Sequence, residues 1–181
     1  MTDVNRADDL LSLTALCPPP ADPGPSHRER GVPTSRQIPE SHYDLVRAYG
    51  TGCFDDFLWI FAMGADNVNL DIESTTGVTQ SILRAKAAPD LREALTRYGV
   101  TPQDLIQWGG TDNGDSLLWI PAGEPKHWPT IVIQAGQLAF ACSPRSSTGV
   151  VLDILTGELH IRFFPDDFPS DHPEFSTNPF V

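Results

Sequence analysis

Histidine, cysteine and the carboxylates are the side chains through which this chain could do chemistry, and their spacing limits what that chemistry is. His27, His42, His127, His160 and His172 are scattered, with no His-x-x-x-His pair, and no Cys-x-x-Cys pair accompanies them. The usual zinc-ligand spacings are therefore missing. Cys17, Cys53 and Cys142 are odd in number and far apart, which argues against a disulfide framework and for a reducing, cytoplasmic setting. Cys53 or Cys142 with a distant histidine would make a nucleophile pair. A lone cysteine in a predicted strand reads first as a small buried apolar residue.

Two glycine-containing segments resemble ligand loops. Asp112-Asn113-Gly114-Asp115 has the oxygens and the tight turn of a calcium loop, but the twelfth position from Asp112 is Gly123 where a bidentate Glu is required, with Glu124 one residue further on. The segment is read instead as a hairpin turn, since Asn-Gly tolerates positive φ at both positions. Gly50-Thr51-Gly52-Cys53-Phe54-Asp55 starts like a dinucleotide fingerprint, lacks the third glycine, and follows a predicted helix where the fingerprint follows a strand. There is no phosphate loop and no Gly-x-Ser-x-Gly elbow. The expectation is a protein with no catalytic residue, no cofactor and no metal.

The acidic residues are what remains. Net charge is −12 over 181 residues. It is distributed as −1 over residues 1–37, −7 over 38–157 and −4 over the short stretch 158–181. A field of this sign repels nucleic acid and anionic membrane and attracts basic partners. The acidic clusters are Asp55-Asp56, Asp112 with Asp115, and Asp166-Asp167 with Asp171 and Glu174. One reading is a solvated surface that only keeps the protein soluble. The functional reading is a patch that steers a basic protein, with Asp55, Asp56, Asp112, Asp115, Asp166 and Asp167 as candidate contacts. Trp128, between Pro125-Lys126-His127 and Pro129, reads as an exposed loop anchor for such a partner, whereas Trp59 and Trp119 read as core.

The elements that must carry these residues follow from periodicity. Residues 3–16 suit an amphipathic helix with Leu10, Leu13 and Leu16 on one face, Leu11 beside them and Asp8 and Asp9 opposite; Pro18-Pro19-Pro20 ends it. Residues 18–37 are Pro-, Gly-, Ser- and Arg-rich and read as a linker or surface loop. Ordered structure is expected from Ile38. Pro39 opens a helix with His42, Leu45, Val46 and Tyr49 on one face, and Gly50 stops it. Residues 54–61 have strand composition, with Phe57, Trp59 and Phe61 on one face. Residues 70–98 read as two helical pieces. Ile72, Val78, Ile82 and Leu83 mark the first; Leu91, Ala94, Leu95 and Tyr98 mark the second, which Pro89 starts and Gly99 closes. A capped turn at Thr101–Asp104 leads into a hairpin over 108–120, with Leu117 and Trp119 on one side of its second strand and Leu118 and Ile120 on the other. Residues 130–134 and 137–142 read as two strands around Ala135-Gly136. Residues 147–156 read as a helix capped by Ser147 or Thr148 and ended by Gly157. The stretch from Phe163 has no clear period. Strands lie mostly next to strands, which predicts one α+β domain: a mostly antiparallel sheet with its helices on one side. No stretch approaches the roughly 20 apolar residues of a membrane span. The first residues lack the basic start and apolar run of a secretory signal.

Ile38-Pro39-Glu40-Ser41-His42-Tyr43 running to Tyr49-Gly50-Thr51-Gly52-Cys53-Phe54, followed by Trp108-Gly109-Gly110 to Gly114-Asp115 and Leu117 to Trp119, resembles the SUKH superfamily. That group comprises Smi/Knr-like cell-wall regulators and bacterial toxin-immunity proteins. The resemblance covers about residues 38–157. The helix bearing a tryptophan and a glutamate that usually precedes the Leu-Pro pair is missing, and Val32 is the sole sizeable apolar residue over 21–37. The resemblance implies a sheet wrapped by helices over 38–181, with residues 1–37 an added helix and linker. It implies that Tyr49, Gly50, Gly52, Trp108, Gly109, Gly110 and Gly114 are fold determinants. It also implies an immunity-type protein that binds and neutralises a cognate toxin; with the acidity, a basic, nuclease-type toxin is expected. The alternatives are a regulatory or scaffold protein of the same fold, or a small Cys- or Asp-centred hydrolase.

Overall fold

The computed structural model describes residues 3–24 and 35–177, and side chains from residue 8 onward. Helix α1 spans Asp3–Leu16 and α2 Glu40–Tyr49; strands β1 (Gly52–Phe54) and β2 (Leu58–Ile60) follow. Next come α3 (Ile72–Lys86), α4 (Pro89–Thr96), β3 (Ile106–Thr111), β4 (Ser116–Trp119), β5 (Thr130–Ile133), β6 (Phe140–Ser143), α5 (Ser147–Leu155) and β7 (Phe175–Thr177). The strands form one antiparallel sheet in the order β6-β5-β4-β3-β2-β1-β7. The α+β class is as expected.

The single strand expected over 54–61 is two strands. Asp55 and Asp56 sit at φ +48° and +51° between them, and the Phe57 amide donates to Phe54 O at 3.0 Å. Short polar side chains tolerate the left-handed region better than the aromatics around them. A turn joins β3 to β4 at Asn113-Gly114 as expected, but only Gly114 takes positive φ (+83°), with its amide donating to Thr111 O at 2.9 Å. Thr101 donates its amide and hydroxyl to Asp104 Oδ2, both at 2.7 Å, which makes the expected capped turn. Gly52 is required by close approach: a Cβ there would run into Ser176 O and the Phe175 ring, so β7 could not pair with β1. At Gly109 a Cβ would stand 2.7 Å from Trp59 O.

The helices lie on both faces of the sheet, not on one. Alternation along β4 and β5 sends Leu117, Trp119 and Val132 into a core shared with Leu13 of α1, Leu45 and Tyr49 of α2, and Val150, Val151 and Ile154 of α5. Leu118, Ile131 and Ile133 face the other way, against Leu83 of α3 and Leu91 and Leu95 of α4. A sheet whose strands are apolar on both faces needs cover on both. The sides of β4 are those expected from its sequence.

Other expectations are corrected in detail. On α1 the buried stripe is Leu13 and Cys17, with Leu10 half-buried; Leu11 and Leu16 are exposed, because a 3.6-residue period selects 10, 13 and 17 over 10, 13 and 16. Asp9 does not point to solvent. It pairs at 3.1 Å with Arg145, which also holds Asp153 of α5 at 3.1 Å. On α3, Val78 and Ile82 are exposed, and the inward stripe is Ile72, Thr76 and Leu83. The cap of α5 is Ser146, whose hydroxyl accepts from the Gly149 amide at 3.1 Å. Strand β7 lies in the stretch read as aperiodic. Residues 25–34 of the expected linker lie outside the described residues.

His42 joins three of these elements. It is fully buried, edge-on to Trp119 (4.9 Å) and Trp108 (5.8 Å). Nε2 stands 2.8 Å from Phe61 O, and Nδ1 3.0 Å from Ser147 Oγ of α5. A carbonyl only accepts, so Nε2 carries the proton and Nδ1 accepts from the serine hydroxyl. The ring is thus held neutral. Burial pushes its pKa down to about 4, although the bond to Phe61 O acts the other way. A histidine depressed in the folded state contributes stability that is present above its unfolded pKa near 6.5 and lost as pH falls through about 4. The full loss is about 3 kcal/mol over that window. Asp9 and Asp153 have raised pKa values, chiefly from burial, and act in the opposite sense. The His42 ring resonance followed by NMR should therefore titrate near pH 4. A midpoint near 6.5 in the folded protein would refute the lock.

Candidate functional site

One end of the sheet carries an acidic groove of about 580 Å³ between the β1–β2 turn and the chain from Pro165 to Ser176. The turn supplies Asp55 and Asp56, and the later stretch supplies Asp167, His172 and Glu174. Among the described residues no lysine or arginine lines it. Its apolar wall is built by Phe57 and Phe168, whose ring centroids are 4.6 Å apart, backed by Phe164 at 5.3 Å from Phe57. Phe57 is buried, as the strand composition suggested, but it packs on the tail and not within a long strand.

Asp55 assembles this groove. Its Oδ2 accepts from the Ser170 amide and its Oδ1 from the Glu174 amide, both at 2.8 Å, and its own amide donates to Glu174 O at 2.9 Å. These three bonds fix the tail just before it enters β7. Asp55 therefore has a structural duty besides its charge. Asp56, Asp167 and Glu174 are exposed and contribute the outward field. Asp166 is also exposed but does not line the groove.

Asp112 is exposed near the same end. It accepts from Trp59 Nε1 at 2.8 Å, and its amide donates to Phe57 O at 3.1 Å. Asp115 does not belong to the surface set. It is 3% exposed, and its carboxylate accepts from Thr111 Oγ1 at 2.8 Å and from the Ala135 amide at 2.9 Å, tying two turns together. Trp128 is not an exposed anchor either. It is buried, its Nε1 donates to Gly123 O at 3.0 Å, and its ring lies 6.4 Å from that of Trp119. The flanking prolines form a short 3₁₀ turn that folds the indole inward. Trp59, expected in the core, is half-buried and lines a second cavity of about 490 Å³ with Phe61, Leu70, Asn67 and Asn69. Its strand is a three-residue piece beside a loop, so its outer face lacks helix cover over part of its width.

The motif residues sit in the framework. Tyr49 is buried and donates to Cys17 O at 2.5 Å, which joins α1 to α2. Trp108 is fully buried, and a Cβ on Gly110 would press on the Phe61 ring at 3.2 Å. Gly50 and Gly52 lie against backbone of Pro23 and of Ser176, so the segment with the start of a dinucleotide fingerprint is packed shut.

Two of the three cysteines are buried. The Cys53 thiol is buried, and burial together with Asp56 and Asp112 raises its pKa to about 12. Cys17 is pushed up to about 11, first by burial. Cys142 is exposed on β6, contrary to the reading of a strand cysteine as buried. His42 and Ser147 are within hydrogen-bond reach of each other, but both are buried and neither lines the acidic groove or the Trp59 cavity. Among the described residues no three His, Cys, Asp or Glu side chains come together as metal ligands, and no helix is long and apolar enough to cross a membrane. Comparison with family models, curated proteins and solved structures finds no match for this chain.

Two outcomes follow. Asp55→Ala removes the acceptor of two amides and leaves alanine at positive φ, so it should destabilise by about 2 to 3 kcal/mol and raise hydrogen exchange over residues 168–177. Asp55→Asn, which keeps one acceptor, should cost less; equal exchange in all three proteins would show that the clamp is not formed. In the folded protein a thiol reagent should modify Cys142 first, and Cys17 and Cys53 only on unfolding. Fast labelling of Cys53 at neutral pH would revive a cysteine-centred hydrolase.

Proposed function

We propose that this chain is a non-enzymatic, immunity-type protein that captures a basic protein toxin at the groove between the β1–β2 turn and the tail. The observation that carries the proposal is the convergence there of Asp55, Asp56, Asp167 and Glu174 beside two phenylalanines, with no lysine or arginine among the described residues of the lining. Carboxylates from positions more than a hundred residues apart meet in one concave surface. A uniform field over such a surface raises the encounter rate with a cation-rich partner, while Phe57 and Phe168 offer the desolvated contacts that supply affinity. The SUKH resemblance over 38–157 supports the same reading. The partner fitting this chemistry presents lysines or arginines around an apolar residue, as a nuclease-type toxin does at its substrate face. Asp112 extends the field at the rim, whereas Asp115 and Trp128 are withdrawn from it.

The test begins with the protein encoded next to this one. It should arrest growth alone and be tolerated when this chain is coexpressed. Its association rate should fall steeply as salt rises. Asp56→Lys and Asp167→Lys together should slow association about tenfold or more at low ionic strength with little change in melting temperature. A harmless neighbour together with salt-independent binding would reject the proposal. A neighbour that is toxic and is bound equally by the charge-reversed protein would move the contact surface elsewhere.

A further inference from the structure

We propose that the cavity beside Trp59 is a binding site for a neutral, ring-bearing small molecule that carries an amide or lactam edge. The cavity has a volume of about 490 Å³ and is lined from β2, β3 and the loop that leads into α3. Small-molecule sites enclose roughly 300 to 1,000 Å³, mostly apolar with a few polar groups. Trp59, Phe61, Leu70 and Gly110 make the apolar walls here, and Asn67, Asn69 and Thr111 supply the polar atoms. The cavity shares no lining residue with the acidic groove, so the inference stands apart from toxin capture.

The space is built into the fold. Gly110 stands opposite Trp59 in register, so no side chain fills the sheet surface there, and a Cβ would press on the Phe61 ring at 3.2 Å. Asp112 accepts from Trp59 Nε1 at 2.8 Å and so fixes the indole. The loop that forms another wall is closed at its neck. Leu70 O accepts from the Ala62 amide at 2.9 Å, Ala62 O from the Ile72 amide at 3.1 Å, and Asp71 Oδ1 from the Gly64 amide at 2.8 Å. Asn67 closes the tip: its backbone oxygen accepts from the Leu70 amide at 2.9 Å and its Oδ1 from the Asn69 amide at 3.0 Å. A ligand meets walls already in place and loses little affinity to ordering them.

The lining selects the ligand. Among the described residues of the lining none is charged. An ion buried there would lose its hydration with no counter-ion opposite. The net charge of −12 acts further against anions. Thr111 Oγ1 is engaged with Asp115, donating to its carboxylate at 2.8 Å and accepting from its amide at 3.1 Å. The groups left for a ligand are Asn67 Nδ2 and the side-chain amide of exposed Asn69, which take no partner among the bonds described. Together they offer donors and an acceptor, the complement of an amide or lactam edge. Trp59 and Phe61 suit the attached ring, by offset stacking or edge contact.

The test is a titration of the full chain with benzamide, followed by heteronuclear NMR at the Trp59 indole and the Asn67 and Asn69 side-chain amides. A fragment of about nine heavy atoms is expected to bind with Kd of roughly 1 to 10 mM and to shift these resonances together. Benzoate and benzylammonium keep the ring and replace the amide by a charge of either sign; they should bind about tenfold more weakly or not at all. Asn69→Ala should weaken benzamide about threefold to fivefold with unchanged melting temperature, since the side chain is exposed. No shift at these groups at about 50 mM benzamide, well above the expected Kd, overturns the site. Benzoate or benzylammonium binding as well as benzamide overturns the selection for a neutral ligand, and indifference to Asn69→Ala overturns recognition through the amides. Resonances of the cavity that respond to a protein partner and not to benzamide make it part of a protein interface and overturn the proposal equally.

Discussion

A single carboxylate at a turn determines where the last part of the chain goes. Asp55 can occupy its left-handed position because its side chain is short, and from there its two oxygens receive the amides of Ser170 and Glu174. A strand of three residues has little pairing strength of its own. Anchored just before it begins, β7 adds to β1 in register, with Phe175 opposite Phe54 and packed against Tyr49 and Phe54 at 5.0 and 4.8 Å. The seventh strand, the aromatic wall of the groove and the meeting of distant carboxylates all depend on this clamp. The absence of a side chain at Gly52 is its steric counterpart, since it lets the two backbones approach.

Net charge is a poor guide to surface field until the internal uses of charge are removed. Asp71 caps α3, accepting from the Ser74 amide at 2.9 Å and the Gly64 amide at 2.8 Å. Asp104 closes its own turn, Asp115 joins two hairpins, and Asp9 and Asp153 share Arg145. These carboxylates hold backbone or a guanidinium, and all but Asp104 are buried or half-buried. The carboxylate of Asp56 accepts only the weak bond of the Cys53 thiol at 3.9 Å among the bonds described, and it lies with those of Asp167 and Glu174 in one place. Asp167 and Glu174 of the last stretch meet Asp55 and Asp56 in the groove, whereas Asp71 and Asp115 of the middle are buried.

Most of the helices and the hairpins were legible because their signals are local. Pro39 and Gly50 bracket α2, Pro89 and Gly99 bracket the α4 segment, and Asn113-Gly114 turns β3 into β4. Alternation read the two sides of β4 correctly but not its consequence, that each side needs helices. What escaped the sequence depends on partners distant in the chain. The break at Asp55-Asp56 carries no glycine, and its bonds go to residues more than a hundred positions away. Asp115 and Trp128 have the composition of surface residues and the partners of core residues. On α3 the hydrophobic positions mixed two stripes: Ile72 and Leu83 face the sheet, while Val78 and Ile82 do not. Periodicity cannot separate these when polar Thr76 takes an inward position, where its hydroxyl oxygen accepts from the Gln107 amide at 3.0 Å.

That substitution on α3 links the fold to its exposed faces. Thr76, Thr79 and Gln80 engage Gln107 and Leu105 O, so the helix is fastened to β3 partly by hydrogen bonds, and less of its apolar surface is needed inward. Val78 and Ile82 stand exposed on the outer side of the helix. A groove that is wet, acidic and rimmed by aromatics suits fast capture of a cationic protein, because its field acts before contact.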